Sequence, residues 1–92
     1  MTVLDLDRVV STEHKVRAFI VEKMLYGADN GFQNGDSLLD ASILDSTGAL
    51  ELVAFLEEEF RITIKDQDIK PENLDSVDLI CAFLARKQSL TR

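Results

Sequence analysis

Tryptophan is absent from the chain, and cysteine, proline and histidine occur once each. A lone Cys81 cannot close an internal disulfide, so packing must hold the chain together and a reducing compartment is expected. One cysteine and one histidine, His14, do not make a zinc site. The carboxylates, though numerous, fall at no calcium-loop spacing. No apolar run approaches the length needed to cross a bilayer. The opening Met-Thr-Val-Leu-Asp-Leu-Asp carries acids where a secretory signal carries cations, and the expected setting is the cytoplasm. No base pattern accompanies Cys81 and no paired acid and base stands out, so an enzyme of a common class is not expected.

Positive charge is also scarce. The formal net charge of −7 argues against nucleic acid or an anionic membrane as the main partner. The scarcity is concentrated. Between Met24 and Phe60 stand Asp29, Asp36, Asp40, Asp45, Glu51, Glu57, Glu58 and Glu59, with no lysine or arginine among them. Such a stretch should attract proteins that present Arg or Lys.

Apolar periodicity supplies what disulfides do not. At 92 residues the chain reads as one small domain spanning 1–92, with a core over about 12–87. Residues 1–10 are weakly patterned and either lead into a first helix or lie over the bundle. That helix is expected from about Thr12 to Tyr26, capped by Ser11 or Thr12. Val16, Phe19, Ile20 and Met24 point inward with the stem of Lys23, and Gly27 acts as the stop. The connection from Gly27 to Leu44 is long, but Phe32, Leu38, Leu39, Ile43 and Leu44 can pin it, with a helical turn around Ser37 to Asp40. A second helix is expected from Ser46 to Phe60, with Gly48 as its weak point.

The segment Arg61-Ile-Thr-Ile-Lys alternates like a strand but has no partner strand. It reads as an extended connector with Ile62 and Ile64 inward. Pro71 suits the first position of a short third helix through Leu74. Asp75 can cap a fourth helix from Ser76 to about Lys87, with Asp78 completing an approximate capping box and Arg86 and Lys87 in the last turn. Val77, Ile80, Cys81, Leu84 and in part Phe83 form its inner stripe. The expected fold is all-α, three main helices and one short one, with a long ordered loop between the first and second.

The informative stretch is Leu44 to Phe60. Ala49, Leu52, Val53, Leu56 and Phe60 share a buried face. The opposite side carries Leu50, Ala54, Glu57 and Glu58, with Thr47 and Glu51 toward one flank, a surface suited to reversible contact with a basic partner. Ser46 stands at the helix start, where its hydroxyl should face solvent. By itself a serine there is most often an N-cap, and Asp36-Ser37 and Asp75-Ser76 show that the Asp-Ser pair alone means little. Only Asp45-Ser46 is followed by an acidic helix of this length.

Asp45-Ser46-Thr47, followed by Leu56-Glu57-Glu58-Glu59-Phe60, resembles the acyl carrier protein family. The likeness continues through Ile62-Thr63-Ile64, Asp66-Gln67-Asp68 and Asn73-Leu74-Asp75-Ser76-Val77. Upstream, Asp36-Ser37-Leu38-Leu39-Asp40 resembles the loop before the family's serine. It covers roughly Val16 to Lys87. The resemblance implies a carrier without turnover of its own, with 4′-phosphopantetheine attached to Ser46 by a phosphopantetheinyl transferase acting on coenzyme A, and with cargo held as a thioester. It implies that Asp45 serves transferase recognition, and its use is expected in that complex rather than in the resting domain. Thr47, Leu50, Glu51, Ala54, Glu57 and Glu58 are the implied docking residues for an acyl or aminoacyl ligase and for downstream enzymes with basic patches. Thr47, Gly48 and Ala54 depart from carriers of fatty acid synthesis, which leaves room for a specialised carrier, including an aminoacyl carrier loaded by a dedicated ligase. A monomer is expected. The rival readings are an unmodified interaction module with the same fold and a small carboxylate-dependent hydrolase.

Overall fold

The computed structural model describes the backbone of residues 3–90 and the side chains of residues 12–88. Four helices follow in order: α1 (Val3–Met24), α2 (Ser46–Phe60), the short α3 (Pro71–Leu74) and α4 (Val77–Leu90), with a 3₁₀ turn at Asp66–Asp68. Helix α1 packs against α2 and α4, and α3 packs against α4. The described residues form no strand, as the all-α reading expects.

Helix α1 begins earlier than the pattern suggested. Ser11 and Thr12 lie in its interior and cannot cap it, because no glycine or proline interrupts the chain between Val3 and Met24. What the side chains of residues 1–10 cover lies outside the described residues. Val16 and Ile20 are wholly buried, Phe19 and Met24 partly so, whereas Lys23 is exposed and does not join the inner stripe. The helix ends at Met24, and the chain reverses through Tyr26 and Gly27, both at positive φ. Gly27, at φ 86, supplies the conformation that side chains disfavour.

Aromatic rings join α1 to α2. Phe19 stacks on Phe55 with centroids 4.3 Å apart, and Phe60 meets Phe55 edge-on at 6.3 Å. Lys15 lies 5.9 Å from the centre of the Phe60 ring and pairs with Glu59 at 3.0 Å. Phe55 sits at the boundary between the two faces of α2, so three- and four-residue spacing assigns it to neither.

The long loop is held by two fastenings. Arg17 of α1 lays its guanidinium 4.0 Å from the centre of the Phe32 ring, donates to the Phe32 carbonyl and, at 3.0 Å, to Asn34 Oδ1, and approaches Asp29 at 3.6 Å. At the other end Asp75 accepts from Ser37 Oγ at 2.6 Å and from the Leu39 N–H at 2.9 Å, while its carbonyl takes the Leu38 N–H at 2.7 Å. The turn after Ser37 is helical, with the Ala41 N–H donating to the Ser37 carbonyl. Phe32, Leu38, Ile43 and Leu44 are buried, but Leu39 is 44% exposed, because the helical turn rotates it outward from its neighbour.

This use of Asp75 corrects the expected cap of α4. Ser76 caps it instead, its Oγ accepting the Leu79 N–H at 3.0 Å, while the Asp78 N–H donates to the Asn34 carbonyl rather than completing a capping box. The carboxylate of Asp75 is already engaged by the loop. Helix α4 runs past Lys87 to Leu90. Val77, Ile80, Phe83 and Leu84 are buried and Cys81 is half-buried.

The connector behaves as the alternation requires. Ile62 and Ile64 are buried, Thr63 and Lys65 exposed, and Glu57 Oε2 accepts the Ile64 N–H at 2.9 Å. Beyond it the 3₁₀ turn is tied to α4 by Lys87 Nζ, 2.7 Å from Asp68 Oδ2. The buried Asn73 donates to the Asp68 carbonyl and accepts from Arg86. The hydrogen bond from Lys87, then that from the Lys65 N–H, hold Asp68 below its ordinary value of 3.8.

Two predictions follow from these fastenings. Arg17→Met should lower stability by about 1–3 kcal/mol, seen as a lower urea midpoint at constant slope; an unchanged midpoint would show that the guanidinium does not hold the loop. A carboxyl depressed in the folded state adds stability above its unfolded value, near 3.8 here, and loses it as pH falls through the lower folded value. Asp68→Asn should therefore lower stability at neutral pH and flatten its decline in the window below 3.8. Midpoints at a series of pH values check this, and a mutant as acid-sensitive as the parent would contradict it.

Candidate functional site

The first turn of α2 decides what Ser46 can do. Asp45 is the N-cap, in extended conformation at φ −126 and ψ −173, and its Oδ1 accepts the Gly48 N–H at 2.7 Å. Ser46 therefore occupies the first helical position, not the cap. It is exposed, and among the described residues its hydroxyl makes no hydrogen bond. The expectation that Asp45 acts only in a transferase complex is corrected: it already serves the resting domain by satisfying an amide that the helix cannot.

Gly48 has a reason to be there. It is buried, and a Cβ at this position would lie 3.2 Å from Asp45 Oδ1 and 3.5 Å from both Leu44 Cδ1 and Met24 Cε. The residue expected as a weak point is where the loop and the end of α1 close on the helix start. A Cβ would crowd the capping oxygen.

Beside Ser46 opens a groove of ≈ 160 Å³. Leu39, Leu44, Ala49, Ile69, Pro71 and Leu74 give it apolar walls, and Asp45, Ser46, Lys70 and Asp75 its polar lining. Two stretches far apart in sequence meet there: the loop end running into the head of α2 (39–49), and α3 with its flanks (69–75). The groove is the part of the site that sequence reasoning missed, because Ile69 and Lys70 carry no pattern that links them to Ser46.

The outward face of α2 presents Thr47, Leu50, Glu51, Ala54 and Glu58 to solvent, with Leu50 63% exposed. Glu57 differs. It is half-buried, with one oxygen accepting the Ile64 N–H. The buried face is formed by Gly48, Leu52, Val53 and Leu56, while Ala49 and Phe60 are only partly covered. Outside this region His14 is exposed. Burial, then the charges of Glu13 and Asp78, push the Cys81 thiol up to about 11, so it is protonated at neutral pH and a poor nucleophile. Among the described residues no group of three or more His, Cys, Asp or Glu could hold a metal ion, and no helix is long and apolar enough to cross a membrane.

Fold and site together define a small helical bundle that presents one uncommitted hydroxyl at the head of an acidic helix. No family model matches the chain. It is 31% identical over 74 residues to a probable acyl carrier protein, PigG, of Serratia sp. (strain ATCC 39006), a match covering 80% of this chain and 85% of that protein. The chain belongs to the acyl carrier protein family.

The capping geometry is open to direct test. Asp45→Ala should lower stability by about 0.5–2 kcal/mol and speed hydrogen exchange at the Gly48 amide, while Asp45→Ser should retain most of both. Unaltered protection of that amide in the alanine variant would contradict the capping role.

Proposed function

We propose that Ser46 carries 4′-phosphopantetheine and that the domain presents acyl or aminoacyl cargo to partner enzymes, without turnover of its own. The observation that supports this best is the division of labour at the start of α2: Asp45 caps, and Ser46 stays exposed and free of any hydrogen bond. A hydroxyl so placed is open to a modifying enzyme and lies at the positive end of a helix, where a phosphodiester is favoured. When bound, the group supplies a thiol on a long arm, where cargo is held as a thioester and brought at high effective concentration to whatever the domain docks on. Ser46 would hold the arm covalently, and Asp45 would assist transferase recognition besides its capping.

Departures on the docking face bear on the cargo. Thr47 and Ala54, smaller than the residues usual in fatty acid synthesis carriers, agree with a specialised pathway. The reading therefore includes an aminoacyl carrier loaded by a dedicated ligase.

Docking is assigned to Thr47, Leu50, Glu51, Ala54, Glu57 and Glu58. Leu50 supplies an apolar anchor among carboxylates, and the stretch from Met24 to Phe60 offers no internal cation to neutralise them. Glu57 contributes its charge although one oxygen is committed to Ile64. The partners are a phosphopantetheinyl transferase, the ligase and later acyl-processing enzymes with basic patches. The protein is read as a single carrier domain acting as a cytoplasmic monomer.

Coexpression with a phosphopantetheinyl transferase should add the prosthetic mass to the wild type and not to Ser46→Ala. Failure of the wild type to gain it would favour an unmodified interaction module, and equal gain by the alanine variant would move the attachment elsewhere. In the same holo protein, Glu51→Lys or Glu58→Lys should weaken partner binding at least severalfold at low salt with helical content intact. Equal affinity would remove docking from this face.

A further inference from the structure

The polar lining of the groove is unbalanced. Asp45 and Asp75 are anions, and Lys70 is the one cation among the residues that line it. Its backbone is fixed. Lys70 is the N-cap of α3, its carbonyl accepts the Asn73 N–H at 2.9 Å and the Leu74 N–H at 3.2 Å, and Pro71 follows at the first helical position. Its side chain is exposed and, among the described residues, has no ion pair or hydrogen bond. Lys87 is engaged with Asp68, Arg86 with Asn73, Lys15 with Glu59 and Arg17 with the loop, while Lys23 and Arg61, exposed and unpaired among the described residues, do not line this groove.

A phosphodiester on Ser46 adds a third negative charge to this lining, directly beside the Asp45 carboxylate. Asp45 gives one oxygen to Gly48, which anchors the carboxylate in place and keeps it from swinging away. The free N–H groups of the first turn offset part of that repulsion. The remaining attraction must come from the other bank of the groove. Ser46 and Lys70 line the same groove, one from the head of α2 and the other from the start of α3.

We propose that Lys70 is a positioning residue for the tether: its ammonium pairs with the phosphodiester on Ser46 and turns the arm along the groove between α2 and α3. This rests on the attachment proposed above. The fixed backbone sets the direction of approach, and the flexible lysine stem lets the ammonium release the arm when a partner takes it. The pairing gives the groove its occupant, because an arm directed into solvent would leave the apolar walls uncovered.

The test uses the full chain after treatment with the transferase, with attachment confirmed by mass and folding by circular dichroism for wild type, Lys70→Gln and Lys70→Arg. Proton NMR of the holo wild type should show cross-peaks between the Lys70 ε-methylene and the first methylene of the arm. Its phosphorus resonance should be displaced from that of free phosphopantetheine, return toward the free value in Lys70→Gln, and be restored in Lys70→Arg. About 0.5 M salt should reproduce the glutamine result in the wild type. A loaded wild type with no such cross-peaks, and a phosphorus resonance unchanged in Lys70→Gln, overturns the role of Lys70 and leaves the attachment standing. A wild type that takes no arm overturns both.

Discussion

One hydrogen bond sets the terms for the functional end of the molecule: Asp45 Oδ1 accepting the Gly48 N–H at 2.7 Å. A helix must satisfy its first amides from outside, and serine and aspartate serve about equally well as the cap. Here the preceding aspartate does it. Ser46 is thereby released from structural duty while remaining at the positive end of α2. The arrangement suits glycine at position 48, where a Cβ would press on the capping oxygen at 3.2 Å and touch Leu44 and Met24 at ordinary contact distance. Capping, loop closure and the exposure of Ser46 are thus one local solution.

The loop that forms one bank of the groove is long, and a long loop needs anchors if it is to hold a shape. The anchors come from residues remote in sequence. Arg17 reaches from α1 to clasp Phe32 and Asn34, and Asp75 reaches from the α3–α4 junction to hold Ser37 and Leu39. The same logic recurs where Asn73 and Lys87 fix the 3₁₀ turn. Polar side chains do this work, and no buried side-chain nitrogen or oxygen among the described residues is left unsatisfied. Short polar bonds at the periphery let a small apolar core support a structured opening.

Charge is distributed to match. Carboxylates that fasten the fold, such as Asp75, Asp68 and one oxygen of Glu57, are engaged with backbone or cation. Those on the outward side of α2, such as Glu51 and Glu58, are left to solvent. The docking role proposed for this face would use these solvent-exposed carboxylates. Attraction that is long-ranged and salt-sensitive favours fast encounter over tight residence.

The sequence by itself determined the all-α class, the bounds of α2 and α3, the inward Ile62 and Ile64, and the family likeness centred on Asp45-Ser46. These follow from local properties: apolar spacing, the fixed φ of Pro71, and the order of short motifs along the chain. Tertiary structure alone decided matters that depend on which remote groups meet. The alternation of polar types could not tell that Ser76 and not Asp75 caps α4, because the choice was made by Ser37 and Leu39 competing for the Asp75 carboxylate. Spacing could not place Phe55, whose position was settled by Phe19 of another helix. The groove beside Ser46 is assembled from two separate stretches, 39–49 and 69–75, and no single stretch of chain contains it.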